Sequence, residues 1–463
     1  MLQKASSALE RLKDLGLLQE QAGNALFLHR LLAVFVQSEL DVAEAQTAVE
    51  ETLWREAKRL NRAGRSAELL VWQAHLREVT DMAQKQENER GARLCYELGY
   101  HLNEIGDSDR ARSYLEQALN FYNKIKDNAS RVDILNALGN AYRYNGMVND
   151  AISCYEEALS NATGTGDSNR LLTCLNHLGL ARRDIGQPEQ AIKHFKDAQS
   201  IAKDLKDEYH QGILLSEIGL CHFDLGKIEQ AIEEYNKALN IIRKIDDREG
   251  EAEILGRLGK AYRNLGEPKK AIEQYLHPAL EISKEIRNGH LERLHLRYLG
   301  NAYCALGNEE EALEYYEQAL KMCRESGAKR GECAVLLDLG TAYRELKDDV
   351  PTAIEKHEEA LFIAKDRRRR TEGAAWGELG LDYLKKGDWD YARVCFETAL
   401  PITERAGDLL RKGVQWGNLG RAYRQLGQQE QAKKCLQKSL EILMEIKSVY
   451  TKEVRSWLEE LAS

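Results

Sequence analysis

A pair of glycines recurs along this chain at a spacing that constrains its architecture more than any other feature. The first glycine, always after Leu or Ile, falls at Gly99, Gly139, Gly179, Gly219, Gly259, Gly300, Gly340, Gly380 and Gly420. Every step is 40 residues except one of 41, between Gly259 and Gly300. Seven residues on stands the second glycine: Gly106, Gly146, Gly186, Gly226, Gly266, Gly307, Gly387 and Gly427, with Lys347 as the one departure. Twelve residues after the first glycine comes an alanine (Ala111, Ala151, Ala191, Ala231, Ala271, Ala312, Ala392, Ala432). A large residue follows four later (Tyr155, Phe195, Tyr235, Tyr275, Tyr316, Phe396). A fixed period of this length marks a repeat array, in which each unit buries its apolar face only against its neighbours.

The spacing inside one unit predicts two helices. Leu135, Leu138 and Tyr142 lie at i, i+3 and i+7, on one helical face. Gly139 borders that face and allows a close neighbour, while Gly146 supplies a left-handed residue to end the helix. Ala151, Tyr155 and Ala158 mark the second helix. Composition agrees, because five prolines against thirty-four glycines favour helices separated by glycine turns. The formal net charge of -9 argues against a general nucleic-acid binder. The nine cysteines form no C-x-x-C pair and read as buried thiols of a reducing cytoplasm. No apolar run is long enough to span a bilayer, and the N-terminus lacks a signal-peptide pattern.

With these residues in view, the chain resembles the tetratricopeptide repeat family in a 40-residue form, over residues 89 to 447. The resemblance implies an all-α, right-handed superhelical solenoid whose first helices line a concave groove. The expected organisation is a winged-helix-like remnant or cap at 1–40, a degenerate repeat at 41–84, nine units over 85–447 and a capping helix at 448–463. In the degenerate repeat, Ala57 stands where the first glycine would be and Gly64 follows seven later. Pro278, which accompanies the 41-residue step, and Pro401 are expected to kink their helices. The eighth unit reads "KDDVPTAIEKH", which predicts an irregular turn and puts His357 at the aromatic position.

The first forty residues do not follow the repeat. Ala8 to Leu15 has a helical pattern, "GLLQEQAGNALFLH" reads as a hairpin turning at Gly23-Asn24, and His29 opens another amphipathic helix. The words "LGLL" and "LHRLL" resemble the winged-helix segment after the nucleotide-binding domain of signal-transduction ATPases of the NB-ARC and NACHT kind. By that resemblance alone His29 is a nucleotide-sensing residue; the alternative is an ordinary histidine in an N-terminal cap. No G-x-x-x-x-G-K-[ST] loop occurs. The expectation is therefore a sensor half whose upstream nucleotide-binding domain lies outside this sequence, or a descendant that lost it.

The motifs of catalysis are missing. There is no H-E-x-x-H, no G-x-S-x-G and no histidine–cysteine cluster, so neither enzyme activity, nor a metal, nor a cofactor is expected. "RRRR" at 367–370 reads as a solvated turn, with contact to an acidic partner as the alternative. What remains is the exposed stripe of the first helix, at offsets -3, +1, +4 and +5 from its glycine. It carries Tyr96, Tyr100, Asn136, Asn140, Arg143, Tyr144, Asn176, Arg183, Phe223, Lys260, Arg263, Arg297, Asn301, Arg344, Arg421 and Arg424. Arginine and asparagine offer directed donors to peptide backbones and carboxylates. The competing reading is that the arginines pair with acidic neighbours such as Asp184, Asp224 and Glu345. The expected function is non-catalytic binding of a protein or peptide in the groove, as the sensor of a signalling ATPase. A free-standing scaffold holding extended peptides and the regulatory arm of a transcription activator are the alternatives.

Overall fold

The computed structural model describes residues 18–21, 25–28, 42–63, 65–365, 369–405, 408–446, 448 and 450–462. It divides into two compact units, Met1–Ala141 and Tyr142–Ser463. The first unit opens on an antiparallel hairpin of β1 (Leu18–Gln21) and β2 (Ala25–Leu28), with Leu18 opposite Leu28 and Gln21 opposite Ala25. The strands fall in the expected hairpin segment; Gly23, Asn24, His29 and the helix expected from His29 lie outside the described residues. A lone hairpin fixes no fold, so the winged-helix resemblance stays a reading of sequence.

Everything after β2 is helical. The first unit continues with α1 (Val42–Arg62), α2 (Ser66–Ala83), α3 (Glu89–Glu104), α4 (Ser108–Ile125) and the start of α5 (Asn128–Tyr144). The second holds α6 (Val148–Thr165), α7 (Ser168–Asp184), α8 (Pro188–Asp204), α9 (Glu208–Asp224), α10 (Ile228–Lys244) and α11 (Arg248–Asn264). Next come α12 (Pro268–Ala271), α13 (His277–Glu285), α14 (Gly289–Leu306), α15 (Glu309–Glu325), α16 (Lys329–Glu345) and α17 (Val350–Lys365). The last are α18 (Arg369–Lys386), α19 (Trp389–Arg405), α20 (Leu409–Gln425), α21 (Gln429–Glu445) and α22 (Thr451–Ala462). The tetra-arginine stretch falls almost wholly on undescribed positions or side chains.

Local chemistry explains where these helices begin and end. Asp167, Asp207, Asp247, Asn288 and Asp408 each accept a backbone N–H of the helix that follows, which satisfies donors a free helix end would leave open. At the turn inside a unit, Gly146 takes φ 77°, and its N–H reaches Arg143 O at 3.1 Å while Met147 N–H reaches Tyr142 O at 2.9 Å. Where Lys347 replaces the second glycine, Asp348 adopts the left-handed conformation instead, at φ 54°, one residue later than its glycine counterparts. The eighth-unit turn is thus irregular in the way its extra residue requires.

The first glycine of each unit is the socket for the large residue of the second helix. A Cβ on Gly219 would lie 2.7 Å from the ring of Tyr235, and one on Gly300 would lie 2.7 Å from the ring of Tyr316. Leu115 and Leu436 fill the sockets at Gly99 and Gly420. Two units depart, both by one residue. Ahead of Pro278, Ile272–Leu276 forms a π-turn between α12 and α13. A proline lacks the N–H that would bond one turn back, and a π-turn absorbs one surplus residue within a continuing helix. Leu276 therefore enters the Gly259 socket. This corrects the sequence expectation for Tyr275, which is half-buried and stacks on Tyr262 with ring centres 4.8 Å apart. Pro401 lies inside α19.

In the eighth unit His357 enters the Gly340 socket and is fully buried. Its Nδ1 lies 2.5 Å from Asp382 Oδ2 and its Nε2 lies 3.0 Å from the Leu337 carbonyl oxygen. A polar ring serves here because both nitrogens meet acceptors. At the far end Val454, Trp457, Leu458 and Leu461 of α22 pack on Leu436 and Leu443, covering the last apolar face.

Candidate functional site

The arginine after the repeated Ala-Tyr pair has two fates. Arg143 donates from Nη1 to Asp184 Oδ2 at 3.1 Å, Arg183 bonds Glu217, and Arg424 meets Glu460 at 2.7 Å. Each acid sits on the next helix of the stripe, so these arginines tie neighbouring units together. Glu217 also receives Arg257 Nη2 at 2.9 Å. Burial pushes the Glu217 carboxyl up, but Arg257 and Arg183 outweigh that and hold it below the usual range. Arg344 is the extreme case, with a side chain 6% exposed. It donates to Asp382 Oδ1 at 2.7 Å and Glu378 Oε2 at 3.0 Å, and meets Glu345 at 2.8 Å. Asp382 thereby joins Arg344 to His357 in one buried polar network.

Arg263 has the other fate. It donates to Asn264 Oδ1 at 2.7 and 3.1 Å and forms no ion pair among the described residues. The sequence explains why. On α14 the positions matching Asp184, Glu217 and Asp382 are Ala305, Tyr298 and Ala302. One turn back on α11, half-buried Lys260 also lacks an ion pair and lies 4.4 Å over the ring of Phe223. Burial lowers the Lys260 ammonium to about 8, with Arg263, Arg297 and Arg257 adding to the shift and Asp224 opposing it. Arg297 is compensated, with Nε 3.2 Å from Asp338 Oδ2. Asn301 donates to the same carboxylate at 3.0 Å and accepts from Tyr316 Oη at 2.7 Å. The middle of the stripe therefore holds two cations without a matching acid, on a chain that is acidic as a whole.

The remaining stripe residues are spread along their helices. Tyr144 is 53% exposed, with the Arg143 guanidinium 5.1 Å from its ring. Asn136 is buried, Asn140 is half-buried, and Asn176 is half-buried with Oδ1 lacking a donor. Arg421 is exposed, bonds Asn418 Oδ1 at 3.1 Å and lies 5.1 Å from the Trp457 ring. Arg344 and Arg421 also line a cleft of about 400 Å³ with Leu381, Leu384 and Trp389.

A larger cleft, about 460 Å³, opens in the first unit. Trp54, Lys58, Asn61 and Arg62 line it from α1; Glu89, Arg93, Tyr96, Glu97 and Tyr100 from α3; Tyr122 from α4; Asp127, Ser130, Asp133 and Ile134 from α5. Sequence reasoning found only Tyr96 and Tyr100 of this set. The signal for the α1 residues was present: Trp54, Lys58, Asn61 and Arg62 stand at -3, +1, +4 and +5 from Ala57, the same offsets that define the stripe. Burial raises the Glu97 carboxyl to about 7, with Asp133 adding to the effect and Asn61, Lys58 and Arg62 opposing it.

Nothing in these arrangements prepares a nucleophile. Burial pushes the thiols of Cys95 and Cys395 up to about 12, so they are inert at neutral pH. Among the described residues no three histidine, cysteine or acidic side chains group as metal ligands, and no helix is long and apolar enough to cross a membrane.

Comparison with known proteins places the fold. A family model described as tetratricopeptide repeat matches residues 130–204, 211–285, 290–366 and 371–445, and a second model of the same description matches 92–124. Among solved structures, a Rap protein complexed with Competence and Sporulation Factor superposes with a TM-score of 0.53 at 16% identity, covering 77% of this chain and 98% of that one. The apo form of RapI gives 0.51 at 14% identity, covering 59% and 99%. A Signal Transduction ATPase with Numerous Domains protein with a tetratricopeptide repeat sensor, from Pyrococcus horikoshii, gives 0.44 at 18% identity, covering 98% of this chain and 60% of that one. A search of curated proteins finds no match.

Proposed function

The chain belongs to the tetratricopeptide repeat family, and from that premise we propose that it is a non-catalytic module that holds an extended protein or peptide segment along the first-helix stripe. The observation that carries this reading is the pair Lys260 and Arg263. Most arginines of the stripe are consumed in inter-unit ion pairs, whereas these two have no acid to meet. An uncompensated cation pair beside the Phe223 ring suits a carboxylate of the bound segment, whether a side chain or a C-terminus. Tyr144 and Arg421, both exposed, extend the surface available to such a segment. The fold is one on which a Rap protein forms a complex with Competence and Sporulation Factor.

The test is selection from a displayed peptide library at pH 7. The wild-type chain should enrich sequences carrying Asp, Glu or a free C-terminus, and Lys260→Glu with Arg263→Glu should weaken them by more than tenfold. Undiminished binding by the double variant rejects the assignment. Changing Arg143 is a poorer test, because its loss would also release Asp184.

Of the settings for such a module, the sensor region of a signalling ATPase is favoured by the paired strands at 18–28 followed by the Leu28-His29 pair. Sequencing the gene upstream decides it: an in-frame P-loop supports the sensor, and a stop codon directly upstream supports a free-standing scaffold.

A further inference from the structure

The first-unit cleft contains two buried acceptors that are short of donors. Glu97 is 5% exposed, and its carboxylate receives one hydrogen bond, from Asn61 Nδ2 at 2.8 Å. No cation forms an ion pair with it among the described residues. Lys58 is held over the Trp54 ring at 4.7 Å, and Arg62 is exposed. Asn61 is 7% exposed. Its Nδ2 also donates to the Glu97 carbonyl oxygen at 3.0 Å, so two acceptors fix which end of the amide is nitrogen. Asn61 Oδ1 is left buried without a donor. Interiors rarely leave such atoms unmet, and here both belong to residues that line one cleft. Tyr96 and Tyr100, with ring centres 6.3 Å apart, supply aromatic surface beside them, and such faces attract cations.

On this basis, which rests on the groove reading above, we propose that the cleft is a subsite for a basic side chain of the bound segment, its guanidinium or ammonium donating to Glu97 and Asn61 while its stem lies against Tyr96 and Tyr100. The chemistry is opposite in sign to that at Lys260 and Arg263, so the two positions select different residues of a ligand. The electrostatics of Glu97 add a signature. Lys58 and Arg62 from α1 favour its ionised form and Asp133 from α5 opposes it, but burial dominates and holds the carboxyl near 7. A cation binds the ionised form, so affinity rises with pH.

The experiment uses the full chain and two small probes, N-acetyl-arginine amide and its neutral isostere N-acetyl-citrulline amide, titrated by ligand-observed NMR at pH 8. The arginine probe should bind at least tenfold more tightly than the citrulline probe. Glu97→Gln should abolish that preference, and Lys260→Ala should leave it intact. In wild type, which needs no substitution to fold, the arginine probe should weaken by about tenfold from pH 8 to pH 6, as a carboxyl titrating near 7 takes up its proton. Equal binding of the two probes, a preference that survives Glu97→Gln, or pH-independent binding overturns the subsite. Loss of the arginine preference with acidic-peptide selection intact rejects the subsite alone. The reverse outcome rejects the central carboxylate site alone.

Discussion

Replacing Glu97 by glutamine should make the protein more stable, and the gain should depend on pH. The carboxyl titrates near 7 in the folded chain, against an ordinary 4.5. Ionising it in place therefore costs about 3 kcal/mol, since each tenfold change in proton affinity is worth about 1.4 kcal/mol. The folded state holds this proton more tightly than the unfolded chain does. The penalty is thus absent below about pH 4.5, grows between 4.5 and 7, and is complete above 7. Glutamine keeps the shape and still accepts from Asn61 Nδ2, but carries no charge to desolvate. The gain should be local, so the assay is hydrogen exchange of the α1 and α3 backbone amides, normalised for intrinsic rates. At pH 8 the opening free energy of the Glu97→Gln chain should exceed wild type by about 3 kcal/mol; at pH 4.5 the two should coincide. An equal gain at both pH values, or none at pH 8, would refute the reasoning. A variant that is more stable yet no longer prefers arginine could not owe that loss to misfolding, and it would mark Glu97 as a residue kept at the expense of stability.

Other perturbations test the scaffold and the central site. Asp382→Ala leaves Arg344 and His357 buried without their shared acid and should lose about 3–5 kcal/mol in urea denaturation, whereas Glu345→Ala, at the exposed end of the same network, should lose under about 1 kcal/mol. Gly219→Ala drives a Cβ to 2.7 Å from Tyr235 and should lose about 1–3 kcal/mol by thermal unfolding. Adding Tyr235→Leu should recover part of that loss, since leucines fill the sockets at Gly99, Gly259 and Gly420. Affinity for a carboxylate-bearing peptide should fall as pH rises through about 8, because Lys260 then loses the proton that makes it a cation; isothermal titration at pH 7 and pH 9 measures this.

The repeat was legible because one geometry is built nine times, so each spacing in the sequence is an independent reading of the same contact. Gly219 and Tyr235 can be paired from spacing alone. Leu276 could not be, because a 41-residue step does not say whether the surplus residue lies in a turn or inside a helix, and Tyr275 carries the expected side chain. The partners of the arginines were harder still. Asp184 lies at +5 from its glycine, Glu217 and Glu378 at -2, and Asp382 at +2. No period links these acids, and only side-chain reach in three dimensions selects them. The first-unit cleft was overlooked for a different reason: its α1 wall is built around Ala57, where the glycine that sets the register is missing.

The two single-residue insertions, one absorbed by the π-turn at Ile272–Leu276 and one by the loop around Asp348, show how this architecture contains errors of length. In each unit the residue seventeen after the first glycine takes over the socket from the one at sixteen, and the next glycine resumes the count. A globular core would propagate such a shift through every strand or helix it touches. Here the disturbance stops at the edge of one unit, so the chain can gain or lose single residues on its second helices and still present an unbroken row of first-helix side chains. The second helices are thereby a buffer, free to drift in sequence length, and the row they support is the part of the molecule that inherits the constraint.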